Sequence, residues 1–361
     1  MTMMKAAAFI EKNRIEIVEK PIPNVGPNDA LVKITTTTIC GTDVHILKGE
    51  YPVEPGLTVG HEPVGIIEKL GSNVRGYQEG QRVIAGAICP SFTSYPCQDG
   101  LPSQDGSYLD DCGGHGYKAT AGWRFGNKID GAQAEYVIVP DAQANLAPIP
   151  DGLSDEAVLM CPDIMSTGFV GAEKAHIKIG DIVVIFAQGP IGLCATAGAR
   201  LRGASLIITV DGNNERLAMS KNMGADVTLN FKECDVIDEV MKLTGGRGAD
   251  ASIEALGTQL TFEQALRVLK PGGTLSSLGV YAEDLVIPID AFASGIGDYR
   301  IETALCPGGK ERMRRLLNIV EAGRFDFTGL VTHEFALDNI VDAYDLFVHQ
   351  RDGVLKVALK P

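Results

Sequence analysis

The sequence predicts an α/β protein in which a doubly wound parallel-sheet domain is inserted into a β-rich one. Three observations carry this reading. Up to about residue 155, β-branched runs such as "ALVKITTTTI" and "EPVGIIEKL" are bounded by Gly and Pro. From about 158 to 299, short apolar runs alternate with helical stretches, the texture of a parallel sheet covered on both faces. After 300 a mixed pattern returns. The domains therefore read as 1–157 with 300–361, and 158–299; a chain of 361 residues is long enough for both.

Taken in order, "MTMMKAAAFIEKNRIEIVEK" alternates like a strand and lacks the long apolar region of a signal peptide. It reads as the first strand of a cytoplasmic protein. "GYQEGQRVIAGAI" is a turn followed by a strand, and "GAQAEYVIVP" is another strand. Residues 89 to 131, rich in Gly, Ser, Asp and Tyr, read as a long loop, and long loops in compact domains are usually functional or flexible. In the second domain the strands are "DIVVIFA", "SLIITVD", "DVTLNF", "ADASIEAL" and "GGTLSSLG". The helices between them include "GLCATAGARLRG", "NERLAMSKNMG" and "TFEQALRVLKPGG". The last stretch gives a helix in "KERMRRLLNIVEAG", a strand in "LVTHEFAL", a helix in "NIVDAYDLFVHQ" and a closing strand in "VLKVALK".

Composition removes several classes. With 32 Lys and Arg against 46 Asp and Glu, the net charge is −14, and no basic cluster stands ready to neutralise nucleic-acid phosphates. No apolar run approaches the roughly 18 residues of a membrane span. The eight cysteines are scattered without a C-x-x-C pair, so a disulfide scaffold is not expected and each is by default a buried thiol.

"DIVVIFA" runs into "AQGPIG" (187–192) and then into a helix, the G-x-G-x-x-G pattern with Ala187 in first place. Small residues there let the backbone approach a pyrophosphate, which the helix N-terminus then faces. Gly189 and Gly192 are the key positions, with Pro190 and Ile191 between them. The next strand ends in Asp211, 19 residues beyond Gly192, near the spacing of a ribose-binding carboxylate. Such a carboxylate repels a 2′-phosphate, so the expected cofactor is NAD. Arg216 is the counter-signal: it could accept a phosphate, and equally stack on adenine.

"TICGTDVHILKG" holds Cys40, Thr42, Asp43 and His45, and "TVGHEPVGIIE" holds His61 and Glu62, all read as loops beside strands. "LMCPDIMSTG" offers two more candidates, Cys161 and Asp163, and nothing local chooses between them. A catalytic zinc needs three protein ligands of N, S or O type and an open position.

Over nearly its whole length the sequence resembles the zinc-dependent medium-chain alcohol dehydrogenases. "CGTDVH", "GHEPVG", "STGF" and "GPIGL" carry the resemblance. "CPDIMSTGFVGAE", "AGWRFGN", "DGAQAEY" and "LCPGGKERMRRLL" are similar to its secondary-alcohol, isopropanol-type branch. The resemblance implies a GroES-like catalytic domain and a Rossmann cofactor domain. It maps Cys40, His61 and Asp163 onto the zinc ligands, leaving Cys161 a buried thiol. It puts Glu62 beside the metal as a fourth ligand or just outside the ligand shell. Asp43 is placed to orient His61 through a hydrogen bond, a common arrangement for a ligating His.

Zinc with an open position acts as a Lewis acid, and hydride passes between the carbinol carbon and the nicotinamide. The resemblance routes the proton from Thr42 through the cofactor ribose to His45. It adds Thr167, Gly168, Leu256, Gly279 and Val280 to the cofactor contacts, and Ala87, Trp123, Leu305 and Cys306 to the substrate pocket; Trp123 also reads as a packing anchor for the long loop. Many relatives carry a second, structural zinc on four closely spaced cysteines. Here the loop offers Cys89, Cys97 and Cys112, with His115 nearby, at unsuitable spacings, so one zinc per chain is expected. The expected activity is oxidation of secondary alcohols or reduction of ketones, possible also on primary alcohols and aldehydes, by a homotetramer. The alternatives are a polyol or sugar-alcohol dehydrogenase on the same scaffold, and a non-catalytic NAD-binding protein.

Overall fold

A computed structural model describes residues 2–105, 122–281 and 283–361. The chain divides into two compact units: Met1–Ser166 with Cys306–Pro361, and Thr167–Leu305.

The first unit opens with a hairpin of β1 (Met3–Glu11) and β2 (Arg14–Pro21). The sequence reading took this stretch as one strand. Asn13 turns the chain back, at φ 65°, a region that Asn tolerates better than most residues. There follow β3 (Ala30–Thr38), α1 (Gly41–Leu47), β4 (Val64–Leu70), β5 (Arg82–Ala85), α2 (Tyr95–Gln98), β6 (Tyr136–Val139), α3 (Ala142–Asn145), β7 (Leu146–Pro148) and α4 (Asp155–Val158). The "CGTDVH" stretch, read as loop, is therefore mostly helix.

The second unit contains α5 (Ser166–Lys174) from its second residue onward, then β8 (Ile182–Phe186), α6 (Pro190–Leu201), β9 (Leu206–Asp211), α7 (Asn214–Asn222), β10 (Val227–Asn230), α8 (Val236–Leu243), β11 (Ala249–Glu254), α9 (Gln259–Arg267), β12 (Leu269–Ser277) and β13 (Arg300–Thr303). The strands form a six-stranded sheet in the order β10-β9-β8-β11-β12-β13, parallel throughout. This is the doubly wound 3-2-1-4-5-6 order, and its direction reverses between β8 and β11. α9 ends six residues before the predicted helix does. Pro271 cannot continue a helix, and Gly272, at φ 75°, lies in the strand that follows.

The chain then returns to the first unit with α10 (Lys310–Glu321), β14 (Val331–Ala336), α11 (Ile340–Val348) and β15 (Lys356–Lys360). β15 pairs with β3 through Leu359 and Thr37, so the end of the chain completes the seven-stranded sheet begun near its start. Residues 159–166 also belong here: the Ala87 amide donates to Pro162 O at 2.9 Å. The units divide at 166/167 and 305/306, where the sequence reading had 157/158 and 299/300. Texture marks where strands begin to alternate with helices; packing decides which unit a connecting segment joins. Among the described residues, no helix is long and apolar enough to cross a membrane.

Candidate metal centre and dinucleotide site

Cys40 is the N-cap of α1, and its amide donates to Asp43 Oδ2 at 2.9 Å. This closes a capping box, which holds the thiol at a helix start rather than in a mobile loop. His61 and Glu62 follow Gly60, whose φ of 91° demands glycine, and they precede β4. Asp163 sits in a single wide turn, Cys161–Met165, closed by the Met165 amide on Met160 O at 2.9 Å. This five-residue spacing is π-helical, a form found mostly as single turns at functional sites.

These three elements bring Cys40, His61, Glu62 and Asp163 together, each buried, with one donor atom apiece and all four atoms within 4.8 Å of one another. Asp163 Oδ2 lies 3.3 Å from Cys40 Sγ and 3.4 Å from His61 Nε2. Metal–ligand lengths of about 2.0–2.3 Å in a tetrahedron put donor atoms roughly 3.3–3.7 Å apart, so the spacing suits zinc. Glu62 Oε2 is buried and lacks a hydrogen-bond partner. An orphaned carboxylate oxygen beside a thiol, an imidazole and a second carboxylate is what a cation would satisfy. Cys161 faces away from this role: it contacts Met165 Sδ at 3.7 Å, and burial pushes its thiol up to about 12.

The electrostatics are those of crowded anions. Burial and the Asp163 charge push the Cys40 thiol above its ordinary range. Burial works against ionisation of Asp163 too, but hydrogen bonding to His61 and the nearby positive charge hold its carboxyl below the usual range. For His61, burial favours the neutral ring, and the Asp43 and Asp163 carboxylates outweigh it.

A buried lysine faces this cluster. Lys356 on β15, 2% exposed, donates to Glu62 Oε1 at 2.7 Å and to Ile39 O at 3.2 Å. Burial, more than the opposing charge of Lys356 can offset, pushes Glu62 up to about 7. Sequence reasoning missed Lys356. The available signal was a lone Lys inside the buried run "VLKVAL", since buried Lys demands a partner.

Thr42 Oγ1 lies 3.9 Å from Cys40 Sγ. His45, two-thirds of the way along α1, pairs through Nδ1 with Glu50 and packs edge-on against Tyr51. Trp123 donates from Nε1 to Phe125 O at 2.7 Å and stands edge-on to Tyr51 and to His61, with centroids 5.4 and 6.2 Å apart. It also packs on a small apolar cluster of Ala87, Ile88 and Cys306. Trp123 is thus a packing anchor that also borders the metal cluster. Leu305 belongs to the second unit and is 36% exposed. In the long loop, Cys89 is buried against Gly86 O and Cys97 lies 3.3 Å from Asp105 Oδ1. Cys112 and His115 lie outside the described residues.

In the second unit, Ala187 adopts φ 68°, the left-handed conformation that explains the preference for glycine at this turn. The two following glycines differ in purpose. A Cβ on Gly192 would meet Ala187 O at 1.8 Å, so glycine is needed for α6 to close on the strand end. A Cβ on Gly189 would meet nothing within 4 Å, which leaves open space over the α6 N-terminus beside Pro190 and Ile191. Asp211 ends β9, and its carboxylate accepts the Gln188 amide at 2.6 Å and the Asn213 amide at 2.9 Å. Arg216 lies one turn into α7. Leu256 and Val280, each more than half exposed, stand beyond the carboxyl ends of β11 and β12. Gly279 packs on Gly257, where a Cβ would come within 2.1 Å of the Gly257 amide nitrogen. Thr167 is buried, and Gly168 lets α5 approach α6, since a Cβ would sit 2.6 Å from Ala195 N.

Comparison with known proteins gives this geometry its family. Residues 26–151 match the model of the alcohol dehydrogenase GroES-like domain, and 190–322 that of the zinc-binding dehydrogenase. An alcohol dehydrogenase of Cupriavidus necator is 76% identical, over 99% of each chain. The chain belongs to the zinc-type alcohol dehydrogenases. It is accordingly an oxidoreductase that interconverts alcohols and carbonyl compounds. A more distant relative in this family, the NADP-dependent isopropanol dehydrogenase of Thermoanaerobacter brockii, is 36% identical over 98% of each chain. Among solved structures, the alcohol dehydrogenase of Thermus sp. ATN1 superposes with a TM-score of 0.86 at 30% identity, over 99% of each chain. A zinc-dependent alcohol dehydrogenase of Streptococcus gives 0.87 at 32%, over 99% of this chain and 98% of that one.

Proposed function

We propose that this alcohol dehydrogenase exchanges hydride between secondary alcohols or ketones and NAD(H), using one zinc per chain held by Cys40, His61 and Asp163 with Glu62 adjacent. The observation that carries the reading is the buried cluster of four donor atoms within 4.8 Å. Zinc at such a site supplies a Lewis acid that makes a neighbouring hydroxyl easier to deprotonate. The rest is done by the chain. The Thr42 hydroxyl, next to the Cys40 sulfur, takes up the substrate proton as it passes its own on, and partly exposed His45 hands the proton to solvent. Asp43 Oδ1 faces His61 Nδ1 at 3.5 Å, and its charge favours the ring orientation that turns Nε2 toward the metal.

Secondary alcohols are favoured by the apolar wall of Ala87, Trp123 and Cys306, and by the isopropanol-dehydrogenase relatives. A polyol would need charged and polar partners, and the described members of this wall are apolar. In the second unit, Gly189, Pro190, Ile191 and Gly192 receive the pyrophosphate; Thr167, Gly168, Leu256, Gly279 and Val280 contact the rest of the dinucleotide. Asp211 accepts from the adenosine ribose diol, which favours NAD, with Arg216 on the adenine side. The Thermoanaerobacter relative carries NADP in its name, so this choice rests on Asp211.

A rate panel of primary alcohols, secondary alcohols, diols and polyols with NAD and with NADP tests the reading. Highest kcat/KM for a secondary alcohol with NAD supports it; a polyol optimum, or NADP preferred, overturns the corresponding part. The homotetramer implied by the resemblance is checked by light scattering.

A further inference from the structure

Behind His61 and Asp43 runs a buried polar chain whose further members, Gln133 and Tyr344, have no part in the reaction described above. Tyr344 on α11 donates its hydroxyl to Gln133 Oε1 at 3.0 Å. Gln133 Nε2 donates to Asp43 Oδ2 at 3.2 Å and to Thr38 O at 3.3 Å. Asp43 Oδ2 also accepts the Cys40 amide at 2.9 Å. Asp43 Oδ1 faces His61 Nδ1 at 3.5 Å, and neither atom has a hydrogen-bond partner. Tyr344, Gln133, Asp43 and His61 are all buried.

The polarity of this chain has one consistent direction. Thr38 O and Asp43 Oδ2 are both acceptors, so the Gln133 amide must present its NH2 group to them. Its oxygen then points to Tyr344, whose O–H must donate. Reversing the amide would set its oxygen against two other oxygens. Oδ2 is thus filled by two N–H donors, which fixes the carboxylate plane and leaves Oδ1 turned to His61 Nδ1, where its charge favours a proton on that nitrogen. An imidazole protonated at Nδ1 presents the Nε2 lone pair to a metal. The backbone reinforces this arrangement: the Gln133 amide donates to Val59 O at 3.0 Å, and the absent Cβ of Gly60 makes room for the Gln133 side chain, which it would meet at 2.5 Å.

We infer that Gln133, oriented by Tyr344, is a positioning residue of the metal centre: it fixes Asp43 so that His61 is held in the metal-binding tautomer and orientation. The inference rests on the metal-site reading above. It is tested on the full-length zinc-loaded protein by the rate at which a chromophoric chelator takes up zinc, well below the unfolding temperature. Co²⁺-substituted samples provide ligand-field bands as a second readout, and NADH binding in the same samples shows that the protein is folded.

Gln133→Leu is expected to release zinc about tenfold faster, at the lower end of what loss of an outer-shell partner costs a metal site, and to shift the Co²⁺ bands. Tyr344→Phe, the milder change, should act in the same direction by about threefold. Because both residues act through Asp43, adding Tyr344→Phe to Gln133→Leu should cause no further loss. Release rates and Co²⁺ bands unchanged in both variants would overturn the inference, leaving Gln133 a packing residue whose loss lowers only the melting temperature. Multiplicative effects in the double variant would equally end the claim of a single chain. If the wild-type protein takes up no zinc, the metal reading fails first and this inference falls with it.

Discussion

Asp163 and Cys161 lie two positions apart and are both buried, yet only the carboxylate reaches Cys40 and His61. The π-type turn is responsible, since its wider spacing sets which side chains share a face. Asp163→Ala should therefore lower bound zinc from about one per chain toward zero and abolish turnover while NADH still binds, as read by metal analysis and cofactor fluorescence. Cys161→Ala should leave zinc content unchanged; if it removed the metal instead, the ligand assignment would be wrong. Lys356 poses a different problem, that of a buried ion pair. Lys356→Met strands the Glu62 carboxylate without its cation, and breaking such a pair typically costs about 3–5 kcal/mol, to be measured by denaturant unfolding. Combining it with Glu62→Leu should restore most of the loss.

At the scale of elements, the turn between β8 and α6 separates two roles that one motif combines. Gly192 is needed for packing and Gly189 lies open. Gly192→Ala should reduce stability, by about 1–3 kcal/mol or more for an overpacked contact, together with cofactor affinity. Gly189→Ala, at φ −67°, should leave stability nearly unchanged and still weaken NAD binding, because its methyl group would occupy the approach of the pyrophosphate. Equal stability losses in the two variants would contradict this division. On β11, Asp250 accepts the Ile182 amide and pairs with Lys270 and Arg247. Burial pushes its carboxyl up, but these partners together hold it below the usual range. A depressed folded pKa means that its contribution is present above pH about 4 and fades as the pH falls through the folded value. Asp250→Asn should accordingly lower the urea midpoint at pH 7, with the difference shrinking toward pH 3.

For the whole molecule, the metal cluster and the dinucleotide turn belong to different compact units. Cys40, Asp43, Glu62 and Asp163 crowd one buried region with Lys356 as the facing lysine, so removing a dication leaves excess negative charge there. Dialysis against a zinc chelator should lower the melting temperature and abolish turnover, while NADH binding in the second unit persists; a bound metal stabilises only the state that binds it. Re-addition of zinc should restore both properties. A chelated protein with undiminished thermal stability would show that the cluster contributes nothing to the fold.

Local chemistry determined much of this protein in advance. The alternation of apolar strands with helices specified the parallel sheet, because both faces of such a sheet are buried and its strands read as short apolar runs. "AQGPIG" before a helix, and Asp211 at the next strand end, are short-range features that adjacent parallel strands place together here. The donors Cys40, His61 and Asp163 were legible through motif resemblance, although their convergence spans more than 120 residues of chain. Tertiary structure alone decided what stands behind them. Lys356 reaches Glu62 because β15 returns beside β3, and Tyr344 reaches Gln133 across more than 200 residues. No local pattern announces such partners: a buried charge or amide has a definite requirement for hydrogen bonds, but which distant group meets it is settled only when the sheets and helices pack.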